Sequence, residues 1–405
     1  MTTSVYRAVS LVGIAQIIAY AAANYLPAVI ATPASQELGL STTTIFAGFS
    51  LSLTVAGLCG PFAGKLVDRV GGRPILILSN IVFAAGFSLL GFAQDIVQLF
   101  IAYAILGLAM AAGLFEVAFA SIVRLFGKNS RNAITGVSLI AGFASVAGWT
   151  LSVYVQARFG WRGVCWFWAG MHLLVALPLN ALIPSLSKPV LSDQVKQADP
   201  NGITEKVQTN SNQNSDSHPV GKNQSAKYTT ILLAFIFATS SFIGMGLMSH
   251  LPRLLEDIGV PLAIAFTIGA LVGPAQIIGR ILDFTFLRRM HPLIGTRIAA
   301  LAHPVGAIAL LIFGAPLALT FVILHGLGNG ILIISRGTLP LALFGAHGYG
   351  QRQGWLMMPS RFAQAASPFL FGLALTEWGS NVLWLSCAMA LGIFAALCLI
   401  KIKPD

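Results

Sequence analysis

Charge is what this chain has least of. Only 9% of its 405 residues are charged, where soluble proteins carry roughly 25%. Acids are scarcer still, with 13 Asp and Glu against 24 Lys and Arg. So few charges cannot solvate a chain that is 56% hydrophobic, which excludes a soluble globular fold. Ten-residue alternating segments are missing, which excludes a membrane β-barrel. No Gly-x-x-x-x-Gly-Lys-Ser/Thr sequence is present, so nothing points to ATP hydrolysis. The four cysteines, Cys59, Cys165, Cys387 and Cys398, lie inside apolar runs with neither metal spacing nor a loop pair to bridge. Paired carboxylates, metal clusters and nucleophile constellations are lacking as well. No enzyme, metal or cofactor is expected.

What the chain has instead is a series of apolar stretches of about 20 residues, the length that crosses a bilayer as a helix. Twelve spans can be cut, at about 8–31, 42–65, 74–93, 97–122, 132–156, 163–184, 229–249, 260–282, 294–314, 317–337, 350–374 and 380–400. Gly71-Gly72-Arg73-Pro74, Gly127-Lys128-Asn129, Gly160-Trp161-Arg162 and Gly345-Ala346-His347-Gly348 mark turns between them. The first run continues past signal-peptide length and is expected to stay as a spanning helix. Residues 185–227 form the one long polar segment, rich in Ser, Asn, Gln and Lys, and read as a disordered cytoplasmic linker. The expected organisation is an N-terminal bundle (1–184), the linker (185–227) and a C-terminal bundle (228–405).

The net charge of +11 is distributed in short loops, as the positive-inside rule expects, and not as a nucleic-acid footprint. Arg7, the 65–73 group, Arg124, Lys128, Arg131, Arg280, Arg288, Arg289, Arg297, Arg336, Arg352, Lys401 and Lys403 fall on one side. Arg158, Arg162 and Arg253 fall on the other. Both termini are therefore expected in the cytoplasm of a bacterium, with the chain in its inner membrane. Trp161, Trp166, Trp168, Trp378 and Trp384 sit near predicted outer ends and read as an aromatic belt.

One cassette occurs twice. Gly64-Lys65-Leu66-Val67-Asp68-Arg69-Val70-Gly71-Gly72-Arg73-Pro74 follows span two, and Gly279-Arg280-Ile281-Leu282-Asp283 ends span eight about 215 positions later. Leu26-Pro27 before the first copy is echoed by Leu251-Pro252 before the second, and Gly60-Pro61 by Gly273-Pro274. A duplicated half in an apolar chain means two like bundles about a pseudo-twofold axis. Gly57, Gly60 and Gly64 lie near one helix face and permit close approach of a neighbour. Asp68, at the membrane edge, is suited to accept hydrogen bonds from a helix N-terminus or to pair with an arginine. Arg69 and Arg73 are suited to anionic lipid or acidic partners.

These residues resemble the major facilitator superfamily, whose signature between spans two and three reads roughly G-x-L-x-D-R-x-G-R-R/K. Gly64 to Arg73 follows it closely, with Gly72 where a basic residue is common. The resemblance covers the whole chain and implies an all-α polytopic fold of twelve transmembrane helices in two six-helix bundles. It implies that Gly64, Asp68, Arg69, Gly71, Arg73, Gly279, Arg280 and Asp283 form a gate holding the halves together on the cytoplasmic side. Tyr103 stands where drug exporters of the superfamily carry an arginine in span four, and span five has no proline, which weighs against a drug exporter. The first two spans look more like the monocarboxylate and oxalate–formate branch, without the acidic-glycine-tryptophan signature often found in its first span.

Ionisable and polar groups at membrane depth complete the reading, because their burial is costly without a partner or a cavity. Glu116 in span four is read either as exchanging protons or as neutralising an arginine. Arg361 in span eleven is read as binding a carboxylate bidentately or as pairing with an acid such as Glu116. In span ten, His325, Asn329 and Arg336 fall within about 40° of one another at 100° per residue. The resemblance implies that span ten lines the central cavity, so they read as cavity wall, or, for Arg336, as snorkelling to the cytoplasmic surface. Gln16, Tyr20 and Asn24, spaced by four in span one, are further cavity candidates. His172 and His303 are left to packing or interhelical hydrogen bonds. The expected function is secondary active transport of a small organic solute, favoured as an anion such as a carboxylate. Protons are the expected coupling ion, with Glu116 or His325 as the titrating group, and the expected partners are the substrate, protons and the bilayer, the protein being a monomer. Export of a drug or lipophilic compound, or a transporter-like sensor without flux, are the alternatives.

Overall fold

A computed structural model describes residues 3–184 and 220–401. Every regular element among them is helical, as it must be where backbone groups meet hydrocarbon without closing a barrel. Twelve spans follow in order: α1 (3–38), α2 (Thr42–Val70), α3 (Gly72–Phe92), α4 (96–126), α5 (131–159), α6 (161–181), α7 (Val220–Asp257), α8 (Leu262–Thr285), α9 (Pro292–Phe313), α10 (Ala318–Phe344), α11 (Tyr349–Trp378) and α12 (Val382–Leu399). The turns are short and locally encoded. Ser41 caps α2 through its hydroxyl, which accepts from Thr44 N at 3.0 Å, and Asp95 caps α4 from Gln98 N at 2.8 Å. Gly160, at φ +68°, breaks the chain between α5 and α6 where the sequence places a turn.

Most of the expected linker lies outside the described residues. Its last part does not: α7 begins at Val220, so residues 220–227 are helical, because Val220 to Lys227 holds neither proline nor a further turn signal after Gly221.

The spans form two six-helix bundles. One is packed around Phe83, Phe87, Tyr103 and Trp168, and the other around Phe237, Phe321 and Phe371. The bundles meet along α2 against α11 and along α5 against α8, two seams related by the internal repeat. At the end carrying the cassettes, a third apolar cluster joins Val67, Ile75, Phe119 and Ile134 to Leu341 and Tyr349 of the second bundle. That end is closed.

Two of the tryptophans depart from the expected belt. Trp161 and Trp168 are buried, with indole N–H groups donated to Glu37 Oε2 at 2.6 Å and Ser152 Oγ at 2.9 Å. A satisfied indole donor removes the reason to sit at the lipid interface. Trp166, Trp378 and Trp384 are exposed.

The α2–α11 seam explains the glycine face of span two. A Cβ on Gly57 would meet the Arg361 side chain, one on Gly354 would meet the Gly60 carbonyl, and one on Gly64 would fall on the Gly350 carbonyl. Gly64→Val is therefore expected to insert normally but to be unable to close this end. Spin labels on the last turn of α2 and the first turn of α11 should report a single long distance, where the native protein gives the short one.

Candidate functional site

Four spans are interrupted where the bundles face each other. In α5, the break falls at Gly142 and Phe143, between Arg131–Ala141 and the helix that starts at Ala144. In α1, a π-helical turn covers Ala21–Tyr25. In α4, Leu114 takes an extended conformation (φ −89°, ψ −172°) between the helical pieces Ile96–Gly113 and Phe115–Phe126. In α8, the break falls at Leu271, between Leu262–Ala270 and Val272–Thr285. Irregular backbone at membrane depth is tolerated where it is buried in protein or lines a cavity. Gln16 shows how the cost is met: its amide donates to the Gly113 carbonyl at 2.7 Å, a group freed by the break in α4. Gln16, a cavity candidate in the sequence, is fully buried, and its amide nitrogen is spent on this carbonyl of a neighbouring helix.

The break in α4 puts Glu116 in the first turn of a new helix, where the dipole favours a negative charge. Its Oε1 accepts from Arg361 Nη2 at 2.8 Å, across the two bundles, with side-chain exposures of 14% for Glu116 and 7% for Arg361. The structure thus brings together the two residues for which pairing was one reading of the sequence. Arg361 also reaches the Tyr20 hydroxyl and, at 3.3 Å, Gln364 Oε1. The Tyr20 ring lies tilted against that of Phe115, centroids 4.3 Å apart, so the ion pair has an aromatic wall. A narrow cleft lies beside it, lined by Gly57, Met110, Glu116, Met357 and Arg361 among others.

Arg336 approaches the same cluster from α10, close enough to feel the charges of Glu116 and Arg361. Its Nη2 makes a long bond, 3.4 Å, to Ser240 Oγ, and its Nε has no partner. Asn329, two turns earlier, faces Gly244 of α7. The Asn24 amide nitrogen, in the π-helical turn, is buried without a partner. Gln16 Oε1 and Gln353 Oε1 are likewise buried without a partner, so unpaired donors and acceptors both occur around the ion pair.

His325 does not join this stripe. It is buried, with Nδ1 3.1 Å from Nδ1 of His303, one ring donating and the other accepting; His303 Nε2 lies 3.1 Å from Ser386 Oγ. Periodicity placed His325 within 40° of Asn329 correctly. It could not show that α9 and α12 stand on that edge of the stripe and offer the ring a partner.

The two cassettes differ. In the first, Asp68 accepts from the backbone N–H of Gly350 and of Gln351, both at 2.9 Å, and so caps α11 of the opposite bundle. Arg124 of α4 braces this turn by donating to the carbonyls of Val67 (3.0 Å), Asp68 and Arg69 (3.2 Å). Gly71 ends α2 at φ +95°, and Arg69 is exposed, as Arg73 is at the start of α3. In the second, Asp283 is buried and interacts with Arg131 at the start of α5, which donates to the carbonyls of Met290 (2.6 Å) and Leu287 (3.2 Å). Arg280 points inward: it is 5% exposed and donates to the Ser138 carbonyl of α5 at 2.5 Å. Beside Gly279, a Cβ would run into the Leu327 carbonyl of α10. Sequence reasoning missed Arg124, Arg131, Tyr25 and Ser138, whose partners are set only when the spans assemble.

Residues 12–335 match the family model described as Major Facilitator Superfamily. Multidrug resistance protein 3 of Bacillus subtilis (strain 168) is 34% identical over 121 residues, 29% of this chain and 23% of that protein. Purine ribonucleoside efflux pump NepI of Salmonella paratyphi A is 27% identical over 166 residues, 40% of this chain and 41% of that protein. The matching stretches thus span less than half the length of either relative. Among solved structures, the proton:xylose symporter XylE bound to 6-bromo-6-deoxy-D-glucose superposes with a TM-score of 0.73 at 12% identity. The match covers 98% of this chain and 96% of that one, and it speaks to the fold alone.

Proposed function

Because this chain belongs to the Major Facilitator Superfamily, with 12–335 matching the family model, it is a secondary transporter and not an enzyme, and we propose that its cargo is a small organic anion. The observation that carries this reading is the excess of cations: Arg336 and Arg361 stand against the single carboxylate of Glu116. Arg336 and Asn24 have polar nitrogens without partners, while the one carboxylate present, Glu116, is already engaged by Arg361. A ligand rich in acceptors and negative in charge satisfies such a site; a cation does not.

The mechanism follows from the two seams. The bundles rock about the central cluster, and the caps at the cassette end break when that end opens. With that end cytoplasmic, as the distribution of Lys and Arg favours, the arrangement described here is closed to the cytoplasm. Glu116 is the coupling group: it lies between the bundles, and a proton on it releases Arg361 for the substrate. The protein works as a monomer in a bacterial inner membrane with both termini inside.

Export of a neutral polar or lipophilic compound is the second reading, favoured by the names of the Bacillus multidrug resistance protein and the Salmonella purine ribonucleoside efflux pump. One screen separates the two. Purified protein should gain thermal stability from monocarboxylates or dicarboxylates and not from sugars, nucleosides or hydrophobic cations. Stabilisation by nucleosides or cations alone would overturn the anion reading.

A further inference from the structure

The anion reading uses Arg336 and leaves Arg280 unexplained. Three guanidiniums, those of Arg280, Arg336 and Arg361, stand in one interacting cluster with Tyr20. Glu116 is the one acidic partner of that cluster, at 2.8 Å from Arg361. Asp283, on the same helix as Arg280, interacts instead with Arg131. Two positive charges therefore remain. Arg280 holds only the Ser138 carbonyl, through Nη1, and its Nε has no partner although the residue is 5% exposed. A guanidinium so placed has lost water on most of its surface and has recovered one neutral hydrogen bond.

The first cassette sharpens the contrast. The residue equivalent to Arg280 is Lys65, which is exposed. If the cassette needed only a cation at this position, for orientation or for lipid, the surface would serve in both copies. In the second copy the cation is turned inward, toward Tyr20, Tyr25 and Arg336.

Resting on the anion reading above, we propose that the central site is built for a dianion, with one charged end on Arg336 and the other on Arg280. Each guanidinium presents a planar fork that matches a carboxylate or phosphoryl group, and two negative charges neutralise the cluster. A consequence concerns the second seam. Arg280 ties α8 to α5 through Ser138, so an anion that takes over the fork loosens the α5–α8 contact. A monoanion held on Arg336 leaves that tie in place. Specificity and gating are thus joined in one side chain.

The experiment is a paired titration on the purified full-length protein. The C2–C6 linear dicarboxylates, sulfate and a phosphate monoester are measured by calorimetry beside the half-amide of each dicarboxylate, which has the same length and one charge less. At least one dianion is expected to bind tenfold or more tightly than its monoanionic counterpart, and Arg280→Gln should collapse that ratio to about one. Equal affinities in the native protein would overturn the dianion proposal while leaving the anion reading intact. Binding of none of these anions would remove both. A preference that survives Arg280→Gln would overturn the role given to Arg280. Should that variant not fold, Arg280→Lys keeps the charge without the fork and is expected to lower the ratio severalfold; an unchanged ratio counts against the proposal.

Discussion

Glu116→Gln should yield little folded protein, and Glu116→Gln combined with Arg361→Gln should restore most of it. The ion pair is part of the seam between bundles, with Arg361 Nη2 at 2.8 Å from Glu116 Oε1 and both side chains largely excluded from solvent. Removing one partner of such a pair strands the other, at roughly 3–5 kcal/mol. Here the stranded charge joins a cluster that already holds Arg336 and Arg280, so repulsion adds to desolvation. Removing both partners takes away the charge and its cost together. The measurements are detergent-solubilised yield and unfolding temperature for the native protein, the two single variants and the double. A Glu116→Gln protein as stable as the native one would show that the bridge has no structural weight. The rescued double variant then tests coupling. Because that variant also lacks Arg361, it must first be shown to exchange the stabilising anion across the membrane; if it does, and Glu116 carries the transported proton, it does not accumulate the anion under a pH gradient. Normal accumulation in that protein would remove Glu116 from the coupling step.

The fold was legible because its signals are local and repeated. Apolar length, glycine turns and basic loops recur in every span, and the cassette announces the duplication by itself. Asp68 was also legible: an acid at the end of a glycine-faced helix is suited to receive a helix N-terminus, and Gly350 and Gln351 supply one. The site was legible only by residue type. Tyr20, Glu116, Arg336 and Arg361 were named, and they do converge. Partners, however, are set by which helix stands on which flank. Gln16 was drawn to a carbonyl exposed by a break at Leu114 that no proline marks. His325 was drawn to His303 on the far side of its own helix stripe. Arg280 reads in sequence as a member of the gate at the cytoplasmic end, and only the packing of α8 on α5 turns it inward.

Asp68→Asn should shift the protein toward states open at the cassette end without impairing insertion. The carboxylate gives one oxygen to Gly350 N–H and the other to Gln351 N–H, at 2.9 Å each, and its charge faces the positive end of the α11 dipole. Asparagine keeps one acceptor oxygen, loses the second and loses the charge. A charge-assisted hydrogen bond and the dipole term together amount to about 2–3 kcal/mol. At 1.4 kcal/mol per factor of ten, the ratio of closed to open states falls roughly 30- to 100-fold. Folding is spared because the contact joins two bundles that are each packed around their own core. Asp283→Asn should act more weakly: its carboxylate interacts with the Arg131 side chain rather than capping two backbone N–H groups of α5. Pulsed electron-spin distance measurements across α2 and α11, and separately across α5 and α8, resolve the two seams. Distances and transport rates that match the native protein in Asp68→Asn would show that the cap does not hold this end shut, and that the apolar cluster around Val67, Phe119 and Tyr349 does so alone.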